Sequence, residues 1–201
     1  MLFRWQVREP DISFDENYDN LNYKTVNWLM IVIEEKGIDL YLLIKNHFKS
    51  GLDVPIFMYL APKMISSIQY LHSLKIVHRG VKPDNFIFDK VNNFENIYLI
   101  DFGKSALYNK NIDGKHVVHV EFEQMDKYGN PIYHSVNYRK GISRTRRDDM
   151  ILLGYCFIYM LKGCLPWTKK WTKRTSKKDG LEKVYLAKQS ITIESLCKGK
   201  L

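Results

Sequence analysis

Residues 76–85 read Ile76-Val77-His78-Arg79-Gly80-Val81-Lys82-Pro83-Asp84-Asn85, two apolar residues running into a turn dense with charge. A second turn, Asp101-Phe102-Gly103, follows a run of four apolar residues from Ile97 to Ile100. Taken singly, a Lys, an Asn and an Asp in turns are solvated caps. Taken in this order they could do ionic chemistry, because amide and carboxylate oxygens suit a hard cation and a lysine suits an anion. Gly80 stands in the middle of the first turn with no side chain at all.

The elements that must position these turns show in the apolar periodicity. Leu2 to Val7 alternates like a strand, and Val26 to Ile33 is apolar and β-branched like a buried one. Glu9 to Asn22 between them reads as a polar loop. Glu34-Glu35-Lys36-Gly37 breaks the second strand, and Ile38 to Phe48 reads as a helix with Leu40, Leu43 and Ile44 on one face. Asp53 is a candidate N-cap with Pro55 in the following turn. From there Leu60, Met64, Ile68 and Leu71 predict a helix to about His72. Ile76-Val77, Phe86 to Phe88 and Ile97 to Ile100 are short strands around the two turns. Residues 104–142 read as one long irregular segment. Met150 to Leu161 is apolar all round, a buried helix ended by Gly163. Lys169 to Lys178 is basic, and Ile191 to Leu201 is too short to form anything alone.

With 201 residues and 45% hydrophobic content, the chain suffices for one domain with a core. Lys and Arg number 31 against 22 Asp and Glu, a net charge of +9 that suits acidic partners. Cys156, Cys164 and Cys197 are odd in number and lack metal-like spacing, which points to a reducing, intracellular setting. No signal peptide is visible, and the longest apolar run is shorter than the roughly 20 residues a membrane span needs.

With these elements in place, the chain resembles the casein kinase 1 family of serine/threonine protein kinases. Its first turn matches that family's H-R-D-V-K-P-D-N-F in all but one position, and Asp101-Phe102-Gly103 matches the family's D-F-G. Tyr133-His134-Ser135-Val136-Asn137, Arg146-Arg147-Asp148-Asp149 and Leu153-Gly154-Tyr155 are similar to R-Y-A-S-I-N, S-R-R-D-D-L and L-G-Y. Leu165-Pro166-Trp167 and residues 194–199 are similar to later family segments, so the resemblance covers nearly the whole chain. It implies an α+β, protein-kinase-like fold, mainly the helical C-terminal lobe with a remnant of the β-rich N-terminal lobe. The implied layout is a small-lobe remnant at 1–33, a hinge at 34–37 and a large lobe at 38–201, truncated before its last helices. No G-x-G-x-x-G precedes the first turn, so the family's phosphate-binding lysine is expected to be missing.

The resemblance also implies roles. Gly80 occupies the place of the catalytic Asp, which accepts or orients the substrate hydroxyl proton. Lys82 would neutralise the γ-phosphate, and Asn85 and Asp101 would hold Mg²⁺. Glu34 and Lys36 would meet adenine through the hinge backbone, with Ile87 as the floor, although ATP would bind an open shelf. His78 and Arg79 would be structural, His78 packing under D-F-G, and Asp149 would anchor the loop backbone. Tyr133, Asn137 and Arg147 would shape a substrate groove for phosphorylated or acidic proteins.

The expectation is therefore a casein kinase 1-like pseudokinase that acts by binding partners in the cytoplasm or nucleus. ATP and Mg²⁺ are its implied cofactors; nucleic acid is not an expected partner, no membrane span is expected, and its oligomeric state is open. The basic stretch from Lys169 reads as a solvated surface, a nuclear localisation signal or an anion patch. Two alternatives stay open: a fragment of an active serine/threonine kinase transferring the ATP γ-phosphate, and a degenerate fragment without a stable fold.

Overall fold

The computed structural model describes residues 36–90, 93–108, 131–170 and 177–199, together with strand segments at 2–4, 7–8, 25–26, 29–31, 110–112 and 115–117. The chain divides into two units, Met1–Glu35 and Lys36–Leu201. In the first, β1 (Leu2–Arg4) pairs antiparallel with β4 (Leu29–Ile31), and β2 (Val7–Arg8) with β3 (Thr25–Val26). The loop expected at 9–22 and the burial expected of Val26 to Ile33 lie outside the described residues.

Helices dominate the second unit. Asp39 caps α1 (Leu40–His47), its carboxylate accepting the Leu42 N–H at 2.7 Å. Asp53 stands at the N-cap of α2 (Val54–Ser73), but only its backbone carbonyl takes part, accepting from Phe57 at 3.0 Å. Leu60, Met64, Ile68 and Leu71 of α2 are buried, so helical periodicity found its inner face. Pro62 inside α2 is not foreseen by that periodicity. It lies on the solvent side, where water can serve the carbonyl its missing N–H leaves over.

The strands are short and paired at the site end. β5 (Ile76–Val77) pairs with β8 (Ala106–Leu107), and β6 (Phe86–Lys90) forms an antiparallel hairpin with β7 (Asn93–Leu99). The strand expected at Ile97 to Ile100 thus begins four residues earlier, at Asn93. The segment 104–142 is less irregular than its composition suggests. Besides β8 it holds β9 (Lys110–Ile112) paired with β10 (Lys115–Val117), a turn at Pro131–Tyr133, and α3 (Val136–Arg139), capped by Ser135.

The buried helix expected from Met150 starts earlier. α4 spans Arg146–Lys162, its first turn closed by the Asp148 carboxylate on the Thr145 N–H at 2.9 Å. A charged first turn is invisible to apolar periodicity, and Met150 itself is 47% exposed. Leu152, Leu153, Cys156 and Met160 of α4 join the α1 and α2 residues in one core, with Phe57 edge-on to Phe157 at 5.4 Å. Gly163 ends α4 at φ +69°, and a Cβ there would collide with the Lys49 carbonyl. This close approach lets Leu52 N–H reach the Met160 carbonyl at 2.6 Å.

Two further helices follow. α5 (Lys177–Ser190) overlaps the end of the basic stretch and runs through residues for which no element was expected, while residues 171–176 lie outside the described residues. α6 (Ile193–Cys197) forms in the tail read as too short to form anything alone. Thr192 caps it, and Lys162 donates to the Leu196 carbonyl at 2.6 Å. Neighbours supply what a five-residue helix lacks alone.

Candidate functional site

The turn between β5 and β6 owes its shape to side chains outside residue 80. Asp149, wholly buried in the first turn of α4, accepts from His78 N–H at 2.7 Å and Arg79 N–H at 2.8 Å. The same carboxylate meets His72 Nε2 at 2.9 Å. Arg144 donates to the Arg79 carbonyl at 3.0 Å while its guanidinium lies 4.3 Å over the Tyr138 ring. The Gly80 N–H donates to His78 Nδ1 at 3.2 Å, and Asn85 Nδ2 donates to the Gly80 carbonyl at 2.8 Å. Ser105 Oγ reaches the His78 carbonyl at 3.4 Å. All six backbone polar groups of residues 78–80 are therefore met by side chains.

His78 is buried and joins the two turns. Because Nδ1 accepts from Gly80, Nε2 must carry the proton that it donates to the Ile100 carbonyl at 3.0 Å. Its ring meets Phe102 edge-on at 5.1 Å. Burial lowers its pKa against the pull of the Ile100 carbonyl, Asp149 and Asp101, so the ring is neutral near pH 7. Asn85, also buried, makes a second link: its carbonyl accepts from Ile100 N–H at 2.9 Å. Arg79 and Asp101 both take left-handed backbone angles, φ +64° and +66°. Such residues cost on the order of 1–3 kcal/mol and collect where a site fixes the backbone.

Between the turns lies a cavity of about 120 Å³ lined by Gly80, Lys82, Asn85 and Asp101, with Lys104 and Tyr133 at its sides. Nothing in the backbone demands glycine at 80. Its φ is not positive, and an added Cβ would meet His78 Nδ1 at 3.6 Å and Asn85 Nδ2 at 3.9 Å, ordinary contact distances. A second, larger cavity of about 740 Å³ shares Tyr133 as a wall and is lined further by Tyr41, Tyr159, Lys45, Lys49 and Asp84. Burial raises the phenol pKa of Tyr133 and Tyr159, so both rings stay neutral walls.

The other expected site residues are placed apart. Ile87 is buried in β6 and, like Lys36, does not line the small cavity. Residues 37–39 run beside β6, with Gly37 N–H on the Phe88 carbonyl at 2.9 Å, while the Lys36 ammonium bonds Asp89 at 2.8 Å. Glu34 lies outside the described residues. Asn137 sits in α3 and lines neither cavity; Arg147 is half exposed, bonded to Asp148 at 2.9 Å, and also lines neither.

Sequence reasoning missed Lys104, His134, Arg144 and Lys188. Lys104 directly follows Asp101-Phe102-Gly103 and could have been flagged by that position alone. His134 lines the small cavity from a segment read only as groove. Lys188 gave no signal: it is a buried lysine whose ammonium donates to the Pro131 carbonyl at 2.8 Å and the His134 carbonyl at 2.6 Å. It thereby fastens α5 behind the segment that supplies Tyr133 and His134.

An Asn oxygen and an Asp carboxylate converging on one cavity make a donor set of the kind Mg²⁺ accepts alongside phosphate oxygens. With Nδ2 of Asn85 spent on Gly80, its Oδ1 is the atom left for a cation. The family model described as protein kinase domain matches residues 22–198 of the chain.

Proposed function

Since the chain belongs to the protein kinase family, we propose that it is a casein kinase 1-like member impaired in phosphoryl transfer, which acts by binding phosphorylated or acidic proteins. The observation that carries this is Gly80, a residue without a proton acceptor at the position where the family's pattern has its Asp. General-base catalysis is worth about 10²–10⁴-fold. Asp84 offers no replacement, because it lines the large cavity and not the small one.

ATP with Mg²⁺ supplies the transferable phosphoryl group throughout the family. Asn85 and Asp101 are the residues here that would hold the metal, and Lys82 the one that would face the phosphate. The net charge of +9 favours acidic partners. The test is transfer of radiolabelled phosphate from ATP to an acidic protein substrate, with Asp101→Ala as background. The expected signal is no higher than that background, and a signal well above it rejects the reading.

A second reading, an active serine/threonine kinase fragment, draws support from the same cavity. Lys82, Asn85 and Asp101 all line it, and position 80 has room for a side chain. On that reading the parent chain itself transfers phosphate above the Asp101→Ala background.

A further inference from the structure

We infer that the small cavity holds the phosphoryl group of a phosphoserine or phosphothreonine on a partner protein; this rests on reading the site as one that binds and does not transfer. The residues lining it include Arg79, Lys82 and Lys104 and a single carboxylate residue, Asp101, and of the three basic residues Arg79 and Lys104 have interactions of their own. An aspartate at position 80 would have added a second negative charge facing any phosphorylated side chain. The change that removes the base therefore also removes a charge that would expel a phosphorylated product. A phosphoryl group brings about −1.5 to −2 charges and three acceptor oxygens to this lining.

The size agrees with that ligand. The cavity measures about 120 Å³. It accommodates a phosphoryl group and falls below the 300–1,000 Å³ typical of larger small-molecule pockets. The donors are also sorted: Asn85 Nδ2 and the Gly80 N–H are already engaged, and among the described residues no hydrogen bond engages the Lys82 ammonium. Lys82 is therefore the principal donor to the phosphoryl oxygens.

A protein-borne group fits better than a free ion because Tyr133 lines both this cavity and the larger one beside it. There the rings of Tyr41 and Tyr159 offer an apolar wall, and Lys45 and Lys49 outnumber Asp84. A chain with acidic and aromatic residues beside its phosphorylated one matches both compartments.

Fluorescence anisotropy without nucleotide tests this, using a labelled phosphoserine peptide with acidic flanks and its unphosphorylated twin. The phosphopeptide is expected to bind about tenfold or more tightly than the twin, the difference one charge-assisted hydrogen bond can make. Lys82→Met and Gly80→Asp should each erase most of that difference while retaining a cooperative melt, and inorganic phosphate should compete only weakly. Equal binding of both peptides, or indifference to Gly80→Asp, overturns the inference. So does competition by inorganic phosphate as strong as by peptide, or displacement of the peptide by a short DNA duplex. Loss of phosphate-dependent binding in a protein that also transfers no phosphate overturns this inference alone. Transfer above the Asp101→Ala background overturns the reading beneath it.

Discussion

Asp149→Ala is the sharpest test of how the first turn is held. The buried carboxylate accepts from two backbone N–H groups, His78 at 2.7 Å and Arg79 at 2.8 Å, and meets His72 Nε2 at 2.9 Å. Alanine leaves these groups without an acceptor in a place water does not reach. A hydrogen bond to a charged group contributes about 1.5–3 kcal/mol, and an orphaned buried donor costs about 1–3 kcal/mol. The three contacts share one carboxylate and do not add fully, so the expected loss is about 3–5 kcal/mol. For a chain of this size that is a fall in Tm of roughly 6–20 °C. Asp149→Asn should lie between, since its amide oxygen can serve one side while its NH₂ faces a donor on the other. Urea unfolding gives the global value. Hydrogen exchange at the His78 and Arg79 amides gives the local one, and both amides should exchange faster in the alanine variant. An Asp149→Ala protein within about 1 kcal/mol of the parent would refute the account.

Two glycines should respond in opposite directions. Gly163→Ala meets φ +69° and the Lys49 carbonyl, so differential scanning calorimetry should show a loss of about 2 kcal/mol or more, whereas Gly80→Ala should gain about 0.4–1 kcal/mol. Lys188→Met leaves the Pro131 and His134 carbonyls without their donor and should cost about 1–3 kcal/mol by urea titration. For His78 the folded pKa is lowered below the ordinary value of 6.5, so the unfolded chain binds more protons between the two. Its share of stability is complete above about pH 6.5 and is lost as pH falls through 6.5 toward the folded value; His78→Gln should flatten that part of the profile.

What the sequence made legible follows from how each feature is encoded. The inner face of α2 is written in four apolar residues at helical spacing, and the two turns in an ordered set of polar and charged residues. α5 is written differently: its buried positions are Gly180, Val184 and Lys188. They recur every four residues, but only one of them is a large apolar side chain, so no periodicity shows. Lys188 can be buried there only because two carbonyls from the 131–134 segment receive its ammonium, a fact of tertiary structure. The early start of α4 was hidden for a related reason, since its first turn is made of charged residues whose value lies in capping. The cavity itself joins residues 79–85 to 101–104 and 133–134, segments whose adjacency no local pattern states.

The pattern of bonds around residues 78–80 explains how a protein of this family can carry glycine at this position and keep its site. Asp149 and Arg144 hold residues 78 and 79 from the α4 side, Ser105 holds the His78 carbonyl, and His78 and Asn85 hold residue 80 from within the turn. None of these contacts uses the side chain at 80. A glycine there leaves out a side chain without leaving out any of the bonds that shape the turn. Lys82, Asn85 and Asp101 line the cavity, and none of the bonds that shape the turn beside them depends on which side chain stands at position 80.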